Sequence, residues 1–543
     1  MTTWVMIPAR GGSVGVPRKN VRRLKDKPLI SWTIEAALGA TAANGIIVMT
    51  DDDEIESIAH KHGVRVMREE KTTGKQTLDD VARKVITQLL EEGAHPADPF
   101  ITVQPTCPFI KGQRIGEAVE LLKNGAGSVL TVVDDRHLTW TTDADGTPRP
   151  EYAARVNRQL LPPKFRETGG VIATTIGNFL SNDTRIVEPI KLVEVGTEEA
   201  LDIDHFADWM VAEYLATKLS VMIRVDAAVN LGMGHVYRAL ALAQELAMHD
   251  LQIVISSHSE LSRDFFAQHP FRVTEVESDE AFYALADSEQ PDMIILDHLD
   301  TTAAYVERLK VAARAVVTFE DLGEGAERAH LLVSDLYRNR RVPAERQLNG
   351  VRNAILSPAF NESVEPIAFR DSVEHLLVVF GGTDPSGLTL KTLEALRDIE
   401  YRGEVSVVRG LGAAELPPLS DFGLDGQILH NVAHMPSLMA KVDLAISSAG
   451  RTITELLSLG VPVICIAQND KELTHTHASV EFGVLNLGLG SLCDVATVGA
   501  HIRHVLNSND LRRTLHERAL DATSDRTNGA VIERILDTLT PNN

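Results

Sequence analysis

Pro8-Ala9-Arg10-Gly11-Gly12-Ser13-Val14-Gly15-Val16-Pro17-Arg18-Lys19-Asn20 follows a short apolar run and gathers three glycines, a serine and several basic or amide side chains in one loop. Glycines let backbone N–H groups close around phosphate oxygens, and Arg10 and Lys19 can neutralise the charge held there. The loop is neither the Gly-Lys-Ser/Thr of a Walker sequence nor the G-x-G-x-x-G of a dinucleotide fold. Glycine-rich loops are commonly only tight turns, but the flanking Pro-Ala-Arg and Pro-Arg-Lys-Asn make this one specific. Far downstream, Asp202 and Asp204 lie two apart on an extended segment and so project to one side. Two such carboxylates suit Mg2+, a hard cation that keeps waters and phosphate oxygens as its other ligands. An isolated Asp-x-Asp is more often a solvated strand end. A second constellation opens at Gly232-Met-Gly234-His235. His235, at a helix start and open to a cleft, is better placed for general base work than a lone core histidine. Later, Gly381-Gly382-Thr383-Asp384 and Ser447-Ser448-Ala449-Gly450 supply small residues and hydroxyls suited to a diphosphate, with Glu455 one helical turn further on, able to reach a ribose.

Such loops need strands to carry them. From residue 1 to about 215, short β-branched runs predict strands at Val5–Ile7, Gly45–Met49, Arg65–Met67, Phe100–Val103, Gly127–Val133 and Gly170–Thr174. Helical periodicity between them falls at Ile30–Leu38, Leu78–Leu90 and Arg114–Leu122. This alternation implies α/β architecture with a mostly parallel, Rossmann-like sheet. Thr77 is placed to cap the second helix. A new apolar strand begins after Lys218, and the rhythm restarts at His375, with a strand-poor stretch at 340–370 between. The predicted domains are 1–218, 219–365 and 366–543, the last two being doubly wound lobes, with a helix expected at Ala239–Met248.

The chain is 543 residues long, 44% hydrophobic, with a formal charge of -23, so it calls for several cores and offers no broad basic face for nucleic acid. Its three cysteines lack metal-ligand spacing and read as buried thiols. No secretory leader and no membrane-length apolar run is evident, so no membrane partner and a cytoplasmic location are expected.

The first 215 residues resemble the CMP-sialic-acid synthetase (acylneuraminate cytidylyltransferase) family. The resemblance rests on the opening loop, Thr50-Asp51, Gln104-Pro105-Thr106-Cys107-Pro108, Arg158-Gln159-Leu-Leu-Pro162 with Phe165-Arg166, and Leu201-Asp202-Ile203-Asp204, in that order. It implies transfer of CMP from CTP to a nonulosonic (sialic, pseudaminic or legionaminic) acid with loss of pyrophosphate, Mg2+ on Asp202 and Asp204, and a homodimer. Arg10 and Lys19 would then hold phosphates alongside Ala9 and Ser13, and Asn20 with Arg68 would contact the cytidine. Gln104, Arg158, Gln159 and Arg166 would address the acid, Arg being suited to bidentate capture of its carboxylate. Val14 stands where the family has lysine, and Phe109-Ile110-Lys111 where it has an arginine. Loss of catalysis at this site and a Kdo-activating relative are the alternatives. Residues 219–543 resemble the UDP-sugar hydrolase of pseudaminic acid biosynthesis through the His235 motif, Asp297-His298, Thr318-Phe-Glu-Asp321, Gly381-Gly-Thr-Asp384 and Asn469-Asp-Lys-Glu472. This implies that His235, beside Gly234, activates water against a UDP-linked diacetamido sugar, with Gly382, Thr383, Ser448, Gly450, Glu455 and Asn469 binding substrate. The resemblance also implies that the two doubly wound lobes are of GT-B type, and a glycosyltransferase and a non-catalytic GT-B scaffold are the alternatives for this half.

Overall fold

The strand Trp4–Pro8 sits in the middle of its sheet because its side chains are apolar on both faces. Val5 and Ile7 enter one core with Ile30, Ile34 and Val48, while Met6 enters the other with Val85, Leu89 and Phe100. The computed structural model describes residues 2–540 except 14, 41, 70–75, 227–232, 363, 411, 431 and 433. Two units emerge, Met1–Lys218 and Leu219–Asn543.

In the first unit seven strands run in the order Ile190–Glu194, Ser128–Asp134, Phe165–Thr175, Pro99–Thr102, Trp4–Pro8, Gly45–Thr50, Arg65–Arg68. Phe165–Thr175 is antiparallel to both neighbours and the other pairings are parallel. The reason is connective: the chain returns from Ser128–Asp134 through the excursion at 135–164, which holds only a small two-stranded ribbon and a 3-10 turn and no crossover helix. The chain builds away from Trp4–Pro8 on one side, then resumes at Pro99–Thr102 on the other. These two adjacent strands form a switch point, and the crevice beyond their carboxyl ends is where such sheets bind ligands. Thr77 caps Leu78–Glu91 in a reciprocal capping box with Asp80.

The second unit holds two parallel, doubly wound sheets. The first lobe orders Arg272–Val276, Asp250–Ser256, Ser220–Val225, Met293–Asp297, Ala315–Phe319, Leu331–Ser334, Gln347–Asn349. The second orders Asp425–His430, Glu404–Arg409, His375–Val379, Leu444–Ser447, Val463–Ala467, Val484–Leu489. The helix expected at Ala239–Met248 spans Gly234–Glu245, which puts His235 inside its first turn. The lobe expected at 366–543 does not keep its last helix. Asn528–Leu536 crosses back and buries Val531, Ile532 and Ile535 in the core of the first lobe, with Asn528 Nδ2 donating to Glu245 Oε1 at 2.6 Å.

Candidate active sites

At the switch point of the first unit, the opening loop and the acidic pair meet. A Cβ on Gly15 would overlap the Asp204 carbonyl oxygen, so only glycine allows this approach. Lys19, 8% exposed, donates through Nζ to the Ile203 carbonyl and pairs with Asp204 Oδ1 at 3.4 Å. Lys19 is therefore anchored to the acidic segment. Ile203 N donates to the Thr106 carbonyl at 2.9 Å, which ties the Gln104–Pro108 turn to the same place. The Asp202 carboxyl is pushed up, first by burial and then by Asp204, with a Thr106 hydrogen bond, Lys19 and Arg166 opposing the rise. Its Oδ1 is buried with no hydrogen-bond partner. Asn20 Nδ2 donates to the Arg10 carbonyl at 3.0 Å, while its Oδ1 is likewise buried and unpartnered. Both orphaned oxygens suit a ligand that arrives with donors or positive charge.

Ala9 is buried and donates its N–H to the Met49 carbonyl, continuing the strand register past Pro8. Arg10 is exposed and Ser13 half-buried; Val14 lies outside the described residues. Gly11 N donates to Asp51 Oδ1 at 2.8 Å, which gives the Thr50-Asp51 motif its place against the loop. Gln104 lies under the bulge in Phe165–Thr175, where a Cβ on Gly169 (φ 71°) would stand 2.7 Å from Gln104 Nε2. Arg166 reaches Asp135 at 3.8 Å and acts electrostatically on Asp202. Other expected contacts are not gathered here. Arg68 turns to the helix Asp53–Lys61 and pairs with Asp53 at 2.8 Å and Glu56 at 2.9 Å. Arg158 and Gln159 stand exposed on a 3-10 turn, where Arg158 donates to the Asp134 carbonyl at 3.3 Å. Arg18 pairs with Asp52 at 2.7 Å and with Glu54. Among the described residues no three or more metal-ligating side chains converge. A two-carboxylate site fits Mg2+ nonetheless, because that ion takes its remaining ligands from water and phosphate. All three cysteines are buried free thiols, and burial pushes Cys107 and Cys465 up.

In the second unit, His235 is fixed from below. Its Nδ1 lies 2.5 Å from Asp297 Oδ1, and that carboxylate is fully buried at the end of the central strand Met293–Asp297. A carboxylate only accepts, so Nδ1 carries the proton and Nε2 is left as the acceptor. Arg238, one turn along the helix and 1% exposed, clamps the same carboxylate through Nε at 2.7 Å and Nη2 at 2.5 Å. Burial opposes charge on Asp297, yet Arg238 and His235 hold it well below the usual carboxylate range. Arg238 Nη1 also donates to Glu320 Oε1 at 3.1 Å, and Asp335 lies 3.6 Å away. Reading the sequence did not assign roles to Arg238, Glu320 or Asp335. The spacing of His235 and Arg238, three apart on a helix, signals a shared face, whereas nothing local marks Glu320 or Asp335.

From the second lobe, a Cβ on Gly382 would lie 3.0 Å from Met233 Cγ, and one on Gly234 3.1 Å from Arg451 Cδ, so both glycines stand where the lobes meet. Gly232 lies outside the described residues. Thr383 is half-buried, Ser448 is buried, and Gly450 accepts from His477 Nε2 at 3.1 Å. Glu455 is half-buried on Thr452–Ser458, and burial pushes its carboxyl up to about 7 against the pull of Arg451. Asn469 is exposed and accepts from Glu472 N at 3.1 Å, a turn-stabilising contact. Asp384 and Asp321 are likewise spent on backbone donors, at Leu388 and Thr389 and at Thr301 and Gly323.

Comparison with known proteins follows the two units. The family Cytidylyltransferase matches residues 4–169, and Glycosyltransferase family 28 C-terminal domain matches residues 376–512. CMP-N,N'-diacetyllegionaminic acid synthase of Legionella pneumophila is 31% identical over 223 residues, 40% of this chain and 96% of that protein. N-acylneuraminate cytidylyltransferase B of Danio rerio is 31% identical over 234 residues, 42% of this chain and 54% of that protein. Spore coat polysaccharide biosynthesis protein SpsG of Bacillus subtilis is 24% identical over 315 residues, 55% of this chain and 92% of that protein. The chain spans about half the length of the first curated relatives it matches.

Proposed function

Since the chain belongs, through its first unit, to the cytidylyltransferase family, we propose that this unit transfers CMP from CTP to a nonulosonic acid and releases pyrophosphate. The meeting of Gly15, Lys19 and Ile203–Asp204, with the Asp202 oxygen left unpartnered, carries the reading. The anomeric hydroxyl of the acid attacks the α-phosphorus, the bond to the β-phosphate bridging oxygen breaks, and the hydroxyl proton passes to solvent. Arg10 and the loop N–H groups hold the triphosphate, Asn20 faces the base, and Gln104 and Arg166 orient the acid. Asp202 and Asp204 would hold Mg2+, which supplies charge compensation to the phosphates. Lys19 fixes the acidic segment against the loop. Pyrophosphate release from CTP with sialic, pseudaminic and legionaminic acids tests the reading; no release with any of them, or equal release with Asp202→Asn, overturns it. The reading also pairs two copies through this unit, supported by the exposed apolar side chains Trp140, Val156, Leu160 and Phe165 around the excursion at 135–164. Light scattering of the intact chain reads that directly.

For the second unit the reading is hydrolysis of a UDP-linked diacetamido sugar. Its support is the His235–Asp297 pair, an oriented base, set where two lobes of glycosyltransferase type meet. His235 Nε2 takes a proton from water as the water oxygen bonds to the anomeric carbon and UDP departs. A glycosyltransferase fits the same lobes, with a sugar hydroxyl in place of water. The two are told apart by assaying UDP release with no acceptor present: release abolished by His235→Ala marks a hydrolase, and release only on adding an acceptor sugar marks a transferase.

A further inference from the structure

The buried charges around His235 do not all belong to its own lobe. Arg451, on the second lobe and only 11% exposed in its side chain, reaches Asp335 of the first at 3.4 Å and donates to the Ile355 carbonyl. Asp335 lies 3.6 Å from Arg238, the residue that clamps Asp297. Asp297, Glu320 and Asp335 are all essentially inaccessible to solvent, so each charge must be answered inside the protein. Burial pushes the Glu320 carboxyl up, and the Asp335 charge beside it pushes it further. Burial opposes charge on Asp335, yet Arg451 first among its neighbours holds it at about 2. Arg238 thus answers Asp297 and Glu320 within the first lobe, and Arg451 answers Asp335 from the second. Without Arg451, the guanidinium left to Asp335 is that of Arg238, and its Oδ2 already lacks a hydrogen-bond partner.

We infer that Arg451 is a positioning residue: by neutralising Asp335 from the opposite lobe, it leaves Arg238 to Asp297 and so sets the basicity and orientation of His235. The inference rests on reading His235 as the base. It makes the base competent only where the second lobe, which carries the nucleotide-type loops, is seated on the first.

The charged or titratable groups facing this network are known. His235 faces Asp297 and Arg238. Asp335 faces Glu320, Arg238, Arg451, His475 and His477, and Arg451 faces Asp335, Glu455, His477 and Arg526. His477 is held neutral by burial, at about 4, so it does not replace Arg451 near neutral pH. Loss of Arg451 draws Arg238 away from Asp297, and the less compensated carboxylate then favours protonated His235.

Two readouts on the intact chain test this. The first is the pH midpoint at which His235 becomes reactive to diethyl pyrocarbonate, followed by peptide mass spectrometry. The second is the pH profile of kcat/KM for UDP release. In Arg451→Met both midpoints are expected to rise by about one pH unit, so that activity well below the midpoint falls by up to about tenfold and recovers in base. Arg451→Lys should restore most of the shift. The double variant Arg451→Met with Asp335→Asn, which removes both charges, should bring the midpoint back towards wild type and guards against simple unfolding of the single variant. An unmoved His235 midpoint in folded Arg451→Met, or a uniform loss of rate at all pH values, overturns the inference. Absence of UDP release by the wild type would instead overturn the reading of His235 as a hydrolytic base, and the modification midpoint would still decide the coupling.

Discussion

At the scale of single residues, both sites depend on contacts that one added atom or one lost charge would break. Gly15→Ala would force a methyl group into the Asp204 carbonyl, so the loop must withdraw from the acidic segment. The expected outcome is at least a tenfold fall in pyrophosphate release with little change in melting temperature, read by a coupled phosphate assay and scanning fluorimetry. Asp202→Asn should go further: a loss of release of about a hundredfold or more, and a weaker dependence of the residual rate on Mg2+ concentration. Arg238→Met strands Asp297 as a buried, unmatched charge. It should destabilise the second unit by about 3–5 kcal/mol, measured by denaturant unfolding. The residue types of these sites were largely legible in the chain: the opening loop, Asp202, Asp204 and His235 announce themselves by composition and spacing. Partner choice was not. Arg68 looked free to meet a base and instead is taken by Asp53 and Glu56, because the helix Asp53–Lys61 turns two carboxylates towards it.

Secondary elements were legible wherever an apolar run was long enough to fill a strand buried on both faces, as in Trp4–Pro8 and Pro99–Thr102. Half-exposed edge strands such as Ile190–Glu194 and Asp425–His430 were not, since their pattern mixes polar and apolar side chains. The antiparallel course of Phe165–Thr175 also escaped a reading by periodicity, which is blind to strand direction. On the helix Thr452–Ser458, burial holds Glu455 protonated up to about pH 7. Between the ordinary carboxylate range and that value the folded chain keeps a proton that the unfolded chain has released, so stability falls as pH rises through this window. Glu455→Gln should abolish that decline, with a higher melting temperature than wild type at about pH 8 and no gain at about pH 4. Equal differences at both pH values would contradict the assignment.

For the whole molecule, Met1–Lys218 and Leu219–Asn543 each bury their own cores, and no hydrophobic cluster among the described residues draws on both. Cutting between Lys218 and Leu219 is therefore expected to yield two folded pieces, and the intact chain should show two unfolding transitions by calorimetry. A single cooperative transition, with insoluble pieces, would refute this independence. The second unit does not divide again in the same way, because Asn528–Leu536 completes the core of the lobe it left some 200 residues earlier in the chain. Truncation before residue 528 should expose Val531's partners in the first lobe and render the second unit insoluble. Among the described residues no helix is long and apolar enough to cross a membrane.

The chain by itself determined the chemistry on offer: a phosphate-holding loop, an acidic pair, and a histidine at a helix start, each carried on alternating strands and helices. Those are local properties of residue type and period. Only the tertiary structure decided which charges answer which. Lys19 is bound to the acidic segment and Arg451 to a carboxylate more than a hundred residues away, because ion pairing in a buried setting follows distance and solvent exclusion and neither is written in sequence spacing.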